Sequence, residues 1–233
     1  MISAVIFDFN GVLVDDESVH FELFREVLEQ EGVKITSRDY HDRYLGYDDA
    51  GCFEHALADH GQSYDQDRIA GMIARKGKRY FEVAEKGLRY FPDAAAALRR
   101  MTDRYPVAIN SGALRAEIVY TLDKLGAQEH VSAIIAAEDA LRCKPDPAGY
   151  VQALDALRLT HSELELQPEQ CLVVEDSTAG IQSAKGAGMK AVGITQTYTA
   201  AELTAAGADA TIDALSELTP AWIEATFAPS PTR

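Results

Sequence analysis

The chain has 233 residues, 47% of them hydrophobic and 25% charged, a balance that fits a folded globular protein and argues against a disordered one. Its 22 Lys and Arg stand against 37 Asp and Glu, so the net charge is -15 and there is no basic footprint for nucleic acid. No apolar run approaches the ~18 residues needed to cross a bilayer, and Cys52, Cys143 and Cys171, widely spaced with no CxxC pair, argue against a disulfide framework or a zinc site.

The first element is a short apolar strand over 4–7, which runs into Asp8. The stretch shows no basic region ahead of it, and Asp8 interrupts the apolar run, so a secretory signal is not expected. A reduced, cytoplasmic protein with all three cysteines buried in packing is the expectation. From Asp16 to about Leu88 no strand pattern occurs. Val19, Leu23 and Val27 fall four residues apart, with Phe24 and Leu28 beside them, so 18–31 reads as an amphipathic helix. Phe53, Leu57 and His60 suggest a second helix, and 69–84 a third.

After this block strands and helices alternate. A helix is predicted over 93–104, a strand over 107–110, and a helix over 114–125 that ends at Gly126. Strands over 133–136 and 172–175, a helix over 178–187 that ends at Gly188, and strands over 191–194 and 210–212 complete the pattern. Nearly continuous apolar strands separated by helices imply a parallel sheet covered on both faces. The expected fold is therefore α/β, a doubly wound, Rossmann-like core from 1–15 and 89–227 with an inserted α-helical cap at 16–88. A frayed tail is expected at 228–233.

Four strand ends carry chemistry. In "FDFNG", Asp8 ends a strand where a nucleophile would stand, and Gly11 permits a tight turn. The place two residues on, where a second carboxylate would serve as acid and base, holds Asn10. In "VAINSGALR", Ser111 and Gly112 lie between strand and helix, where a hydroxyl and backbone amides cradle phosphate. In "CKPDPAGY", Pro145 biases Lys144 toward extended backbone, Asp146 can cap the next helix and Pro147 can open it. In "LVVEDSTAGIQSAKGAG", Glu175 and Asp176 are adjacent carboxylates, costly to hold together unless a cation such as Mg²⁺ relieves them. A nucleophile, an anion cradle, a lysine and a metal pair at the ends of parallel strands suit phosphoryl transfer through an aspartyl intermediate.

The order Asp8, Ser111, Lys144, Glu175-Asp176 resembles the four motifs of the haloacid dehalogenase superfamily and spans nearly the whole chain. "FDFNGVLVDDESVH" and "EDSTAGIQSAKGAGM" resemble the branch that holds β-phosphoglucomutase and its phosphatase relatives, with a helical cap between the first and second motifs. The resemblance implies that Asp8 attacks phosphorus. It implies that Mg²⁺ is bound by Asp8, the backbone carbonyl of Asn10 and Asp176, with Glu175 acting directly or through water. Ser111, the amide of Gly112 and Lys144 would hold the phosphoryl oxygens. His20, with Asp15 and Asp16, would position the hinge of the cap.

Two departures matter. The family normally has aspartate where this chain has Asn10, and an amide can neither protonate a leaving oxygen nor activate water. General acid–base catalysis is worth roughly 10²–10⁴ in rate, so a folded, metal-competent site with impaired turnover is expected, with Asp16 and His20 as nearby candidates for proton transfer. In "RYLGYDDAGCFEHAL", Gly46 is followed by Tyr47, Asp48 and Asp49, where β-phosphoglucomutase carries an arginine for a second phosphate. That favours a monophosphate and hydrolysis. In "ARKGKRYFE", Arg75 or Lys76 is placed to turn toward the substrate, and Tyr47 to line the cleft. The expected function is a Mg²⁺-dependent phosphatase of a small phosphorylated metabolite, working without membrane or nucleic acid as a monomer or weak dimer. The alternatives are a phosphosugar mutase, favoured by the first motif and His20 and opposed by Asp48 and Asp49, and a phosphometabolite-binding protein with little turnover, which rests on Asn10.

Overall fold

The structure, a computed structural model, describes residues 1–45, 47–140 and 142–228. Of the tail expected to fray, all but Ala228 lies outside the described residues, as does Gly46. In chain order the elements begin with β1 (Ala4–Phe7), β2 (Val14–Asp15), α1 (Glu17–Gln30), α2 (Ser37–Asp39), α3 (Asp49–Asp59), α4 (Gln66–Ala84), β3 (Arg89–Tyr90) and α5 (Ala94–Thr102). They continue with β4 (Val107–Asn110), α6 (Arg115–Leu125), β5 (Ala133–Ile135), α7 (Ala148–Thr160) and β6 (Cys171–Glu175). The last are α8 (Thr178–Gly186), β7 (Lys190–Ile194), α9 (Ala200–Ala205), β8 (Ala210–Ile212) and α10 (Pro220–Thr226).

Six strands form one parallel sheet in the order β5-β4-β1-β6-β7-β8. The chain builds outward from β1 on one side through β4 and β5, then returns to the other side with β6. β1 is thus central, and the reversal opens a crevice at its carboxyl end, where open α/β sheets bind ligands. The register sets Phe7 beside both Ile109 and Val174, so the residues that follow these strands emerge together.

Side-chain alternation divides the core into two layers. Val5, Phe7, Ile109 and Val174 face one layer with Leu98 and Ile118. Ile6, Ala108 and Val173 face the other with Tyr150 and Ile181. Because both faces are covered, every residue of β1, β4 and β6 is buried, and the strands read as unbroken apolar runs.

Helices α1, α3 and α4 bury a separate cluster that includes Phe24, Leu28, Phe53, Leu57 and Met72. The chain enters and leaves this block through adjacent strands: β2 and β3 pair antiparallel, Val14 with Tyr90 and Asp15 with Arg89. Arg89 adds an ion pair to Asp15 at 3.1 Å. Strands of two residues carry no periodicity, so this ribbon had no signature in the sequence. Gly126 ends α6 with φ +59°, the left-handed cap its position called for. Cys52 and Cys171 are buried, but Cys143 is only half-buried, because it lies on the loop before Lys144 rather than in either core layer. Among the described residues no helix is long and apolar enough to cross a membrane.

Candidate active site

Three carboxylates converge at the carboxyl ends of β1 and β6. Oxygens of Asp8, Glu175 and Asp176 lie within 4.8 Å of one another, and all three residues are buried. The Asp8 amide donates to the Val174 carbonyl at 2.9 Å, which continues the ladder one residue beyond β1 and holds the carboxylate at the crevice. Lys144 joins two members of the group: its Nζ donates to Asp8 Oδ1 at 2.6 Å and to Glu175 Oε1 at 2.5 Å. On the loop that carries Lys144, Asp146 Oδ1 accepts from the Ala148 amide at 2.9 Å, but the N-cap residue of α7 is Pro147, one position later than the sequence suggested.

Glu175 is fully engaged. Oε1 also accepts from Tyr150 Oη at 2.7 Å, and Oε2 from the Ser177 amide and hydroxyl at 3.2 and 3.0 Å. Asp176 has less support, a hydrogen bond from the Thr197 hydroxyl. The protonation balance follows. Burial, then the charge of Glu175, pushes Asp8 up to about 7 against the pull of Lys144. Burial, then Asp8 and Glu175, carries Asp176 well above the usual carboxylate range. Burial disfavours the Lys144 ammonium, but Asp8 and Glu175 outweigh it and its pKa rises. One lysine among three carboxylates leaves the group short of positive charge.

Gly11 lets the turn after β1 approach this group. Its φ is +74°, and a Cβ there would overlap the Asp176 carboxylate. Gly11→Ala should therefore lower stability by about 1–2 kcal/mol from the backbone conformation alone, with a further loss from displacing Asp176. A thermal melt of that variant checks this, and a melt matching the parent chain would contradict the geometry.

On the opposite wall, Ser111 and Gly112 follow β4. Ser111 Oγ donates to Asn10 Oδ1 at 3.2 Å and accepts from the Ala113 amide at 3.1 Å. The sequence placed these residues at a helix N-terminus; α6 begins only at Arg115, so any cradle they make belongs to the loop. Gly112 lies against the helical block: a Cβ there would be 3.7 Å from the Asp48 Cα.

A chain of polar contacts runs from Asn10 into that block. Asn10 Nδ2 donates to Asp16 Oδ1 at 2.9 Å. Asp16 is fully buried and its Oδ2 accepts from Tyr80 Oη at 2.7 Å, with His20 Nε2 at 3.3 Å. Burial alone would raise the Asp16 pKa; His20, then the hydrogen bonds from Asn10 and Tyr80, outweigh it and hold the carboxyl below its ordinary range. His20 Nδ1 is 2.8 Å from Lys76 Nζ, and that ammonium donates to Asp49 Oδ1 at 2.6 Å. An ammonium has no acceptor, so a neutral His20 ring accepts from Lys76 at Nδ1, while Nε2 stands 3.3 Å from Asp16 Oδ2 and 3.2 Å from Asn10 Nδ2. His20 lines the cleft and Asp16 does not, and both side chains are engaged in these contacts.

The remaining predicted residues divide. Lys76 is fully buried. Tyr47 is at the mouth of a cleft of about 140 Å³ that Asp8, Asn10, Ser111 and Asp176 also line, with its ring stacked on His55. Arg75 is not brought to the site. It points outward and pairs with Glu31 at 2.5 Å, because the buried stripe of α4 runs through Ile69, Met72, Lys76 and Tyr80 and leaves Arg75 off it. Tyr80, Tyr150, Thr197 and Glu117 were missed. Tyr80 shares the stripe with Lys76 and could have been found by its spacing; Thr197 follows β7 at the same sheet end.

Residues 5–194 match the model of the haloacid dehalogenase-like hydrolase family. The chain belongs to the haloacid dehalogenase-like hydrolases. It is 30% identical to the validoxylamine A 7'-phosphate phosphatase of Streptomyces hygroscopicus subsp. limoneus, over 94% of this chain and 96% of that one. Its fold is similar to that of β-phosphoglucomutase from Clostridium difficile, with a TM-score of 0.83 at 20% identity over 97% of both chains. CbbY from Rhodobacter sphaeroides, solved as an aspartate-to-asparagine mutant with xylulose-(1,5)bisphosphate, is similar with a TM-score of 0.78 at 26% identity, over 94% of this hydrolase and 96% of that chain.

Proposed function

We propose that this hydrolase is a phosphatase of small phosphorylated carbohydrates that works with Mg²⁺ through a phosphoryl group carried on Asp8. The observation that carries the reading is Lys144 bridging Asp8 and Glu175 beside a poorly compensated Asp176. An all-oxygen donor set short of positive charge fits a hard divalent cation. Asp8, Asp176 and the Asn10 carbonyl would hold it, with Glu175, already bonded to Lys144 and Ser177, acting directly or through water. Bound there, Mg²⁺ would supply charge to offset the phosphoryl oxygens.

The protein's own groups supply the rest. Asp8 attacks phosphorus, and the bond to the leaving alcohol breaks as the aspartyl phosphate forms. Ser111, the Gly112 amide and Lys144 hold the equatorial oxygens. Residues 16–88 act as a cap over the core of 1–15 and 89–227; their paired crossings at β2 and β3 and the contact of Gly112 with Asp48 support this. His20, through Asp16, ties Asn10 to the cap.

Asn10 bears on the proton transfers. It cannot protonate the leaving oxygen or deprotonate water, and Asp16 and His20 are engaged elsewhere. That supports a long-lived aspartyl phosphate, and it gives weight to a second reading, a protein that binds its phosphate ester and turns it over slowly. The aspartate-to-asparagine mutant of CbbY, solved with a bisphosphate, is a parallel case. A screen of phosphorylated carbohydrates with Mg²⁺ tests both readings. Mass spectrometry of the intact chain should show a phosphoryl adduct that Asp8→Asn abolishes. No adduct and no phosphate release with any substrate would overturn the phosphatase reading.

Mg²⁺ binding should depend on pH with a definite sign. The carboxyl of Asp8 titrates near 7 in the folded chain against an ordinary 3.8, so without metal this group favours folding at acid pH and that contribution is lost as pH rises toward 7. Mg²⁺ requires the carboxylate, so it should raise the melting temperature more at pH 8 than at pH 6. Asp176→Ala should abolish the effect; calorimetry showing unchanged Mg²⁺ affinity in that variant would refute the ligand assignment.

A further inference from the structure

Glu117 is a buried carboxyl that takes no part in the chemistry above. It stands in the first turn of α6, is 1% exposed, and its Oε2 accepts from the Leu114 amide at 3.2 Å. That bond fixes the end of the loop whose Ser111 and Gly112 line the cleft. The helical block of 16–88 rests on the same place. A Cβ on Gly77 of α4 would be 3.4 Å from Leu114 Cδ1, and the rings of Phe81 and Tyr120 meet edge to face at 5.6 Å between α4 and α6.

The other oxygen of Glu117 is left over. Oε1 is buried and meets no donor among the described residues. Titratable groups of the block face the carboxyl from three helices: Lys76 and Tyr80 of α4, His20 of α1 and Asp49 of α3. Lys76 is engaged with Asp49 and His20, and Tyr80 Oη donates to Asp16, so neither supplies Oε1 with a hydrogen bond. Burial raises the Glu117 pKa above its ordinary 4.5, and the attraction of Lys76 and then His20 does not offset it. An ionised carboxylate with an unmade hydrogen bond is costly where water is excluded. Water solvates it once α4 moves off α6. The ionised form therefore favours separation of the block from the core, and the protonated form favours contact.

We propose that Glu117 is a positioning residue for release of the product. One oxygen holds the phosphate-binding loop. The other, ionised and unpartnered, keeps the helical block loosely seated on that loop, so that the block lifts and inorganic phosphate leaves. The identity of the released group rests on the phosphatase reading above; the loose seating of the block does not.

Glu117→Gln keeps an acceptor for the Leu114 amide and removes the charge. At pH 8, with Mg²⁺ present, calorimetry should show inorganic phosphate bound about tenfold more tightly than by the parent chain, the scale of one unmade hydrogen bond. Hydrogen exchange without ligand should slow across 76–81 and 114–120. The parent carboxyl opposes contact only while ionised, and with its pKa raised that opposition fades as pH falls toward 5, so the two chains should approach one another there. The protonation of phosphate itself is common to both. A residue that merely capped α6 would leave both readouts unmoved in Glu117→Gln and show only as a lower melting temperature in Glu117→Ala. Exchange that does not slow in a folded Glu117→Gln, or phosphate that binds no more tightly, overturns the proposal. Should that variant fail to fold, the parent chain decides: protection of the same amides, corrected for intrinsic exchange rates, must rise as pH falls from 8 to 5, and protection that does not rise overturns it. If phosphate binds to neither chain, the phosphatase reading fails instead, and exchange alone decides the seating of the block.

Discussion

Asn10→Asp should accelerate steady-state hydrolysis of an alkyl or sugar phosphate by about 10²-fold or more, the scale of a positioned acid–base group. The amide that this change removes donates to Asp16 Oδ1 at 2.9 Å and accepts from Ser111. A carboxylate in its place would face Asp16 across a hydrogen-bond distance, in a buried setting. Two such groups share a proton, or the new side chain turns into the cleft. Either outcome gives a carboxyl that titrates above its ordinary range, suited to protonate a leaving oxygen and then to deprotonate water. The parent chain should differ in kind as well as in rate. With an aryl phosphate, whose leaving oxygen needs little protonation, it should show a fast first turnover followed by a slow steady state. With a sugar phosphate both steps should be slow. Rapid-quench kinetics on the two chains distinguish these cases. If Asn10→Asp leaves every steady-state rate unchanged, another group moves the protons, and Asp16→Asn and His20→Asn would then identify it or eliminate it.

The second large effect concerns Lys144, and it has two opposite signs. Lys144→Met should slow the first turnover with an aryl phosphate by about 10²–10³-fold, as loss of a donor to a developing oxyanion does. The same change should tighten Mg²⁺ binding at pH 8. Lys144 is the fixed cation between Asp8 and Glu175, and its removal leaves three buried carboxylates to a divalent ion alone. Glu175 keeps Tyr150 and Ser177, so it stays oriented. A variant that is both fast and weak in Mg²⁺ would contradict the arrangement. A merely misfolded variant would lose both properties, which a melt in the presence of Mg²⁺ reveals.

Much of the core was legible because its signals are local. An apolar strand buried on both faces announces itself within four residues, as β1 and β4 do, and Gly126 marks a helix end by its own conformational freedom. The strand ends therefore pointed to Asp8, Ser111 and Glu175-Asp176, and the proline-flanked loop before α7 to Lys144. The cap was readable as helices but ambiguous in detail. Arg75 and Lys76 are neighbours of like charge, and composition alone ranks them equally. Only the stripe of Ile69, Met72 and Tyr80 shows that Lys76 is the one turned inward, and a buried lysine defies the ordinary surface preference.

The sequence by itself determined the residue types, the strand ends that hold them and the exchange of a carboxylate for Asn10, since each is a property of a few adjacent positions. The tertiary structure alone decided how those groups are paired. Asp8 and Lys144 stand 136 positions apart in the chain, Asp16 and Tyr80 64, and Lys76 and Asp49 27. Whether a lysine serves a substrate or is cancelled by an aspartate depends on separations of about 3 Å. No periodicity encodes such a separation, because it is set by the sheet order and by how the helical block packs over the carboxyl end of β1.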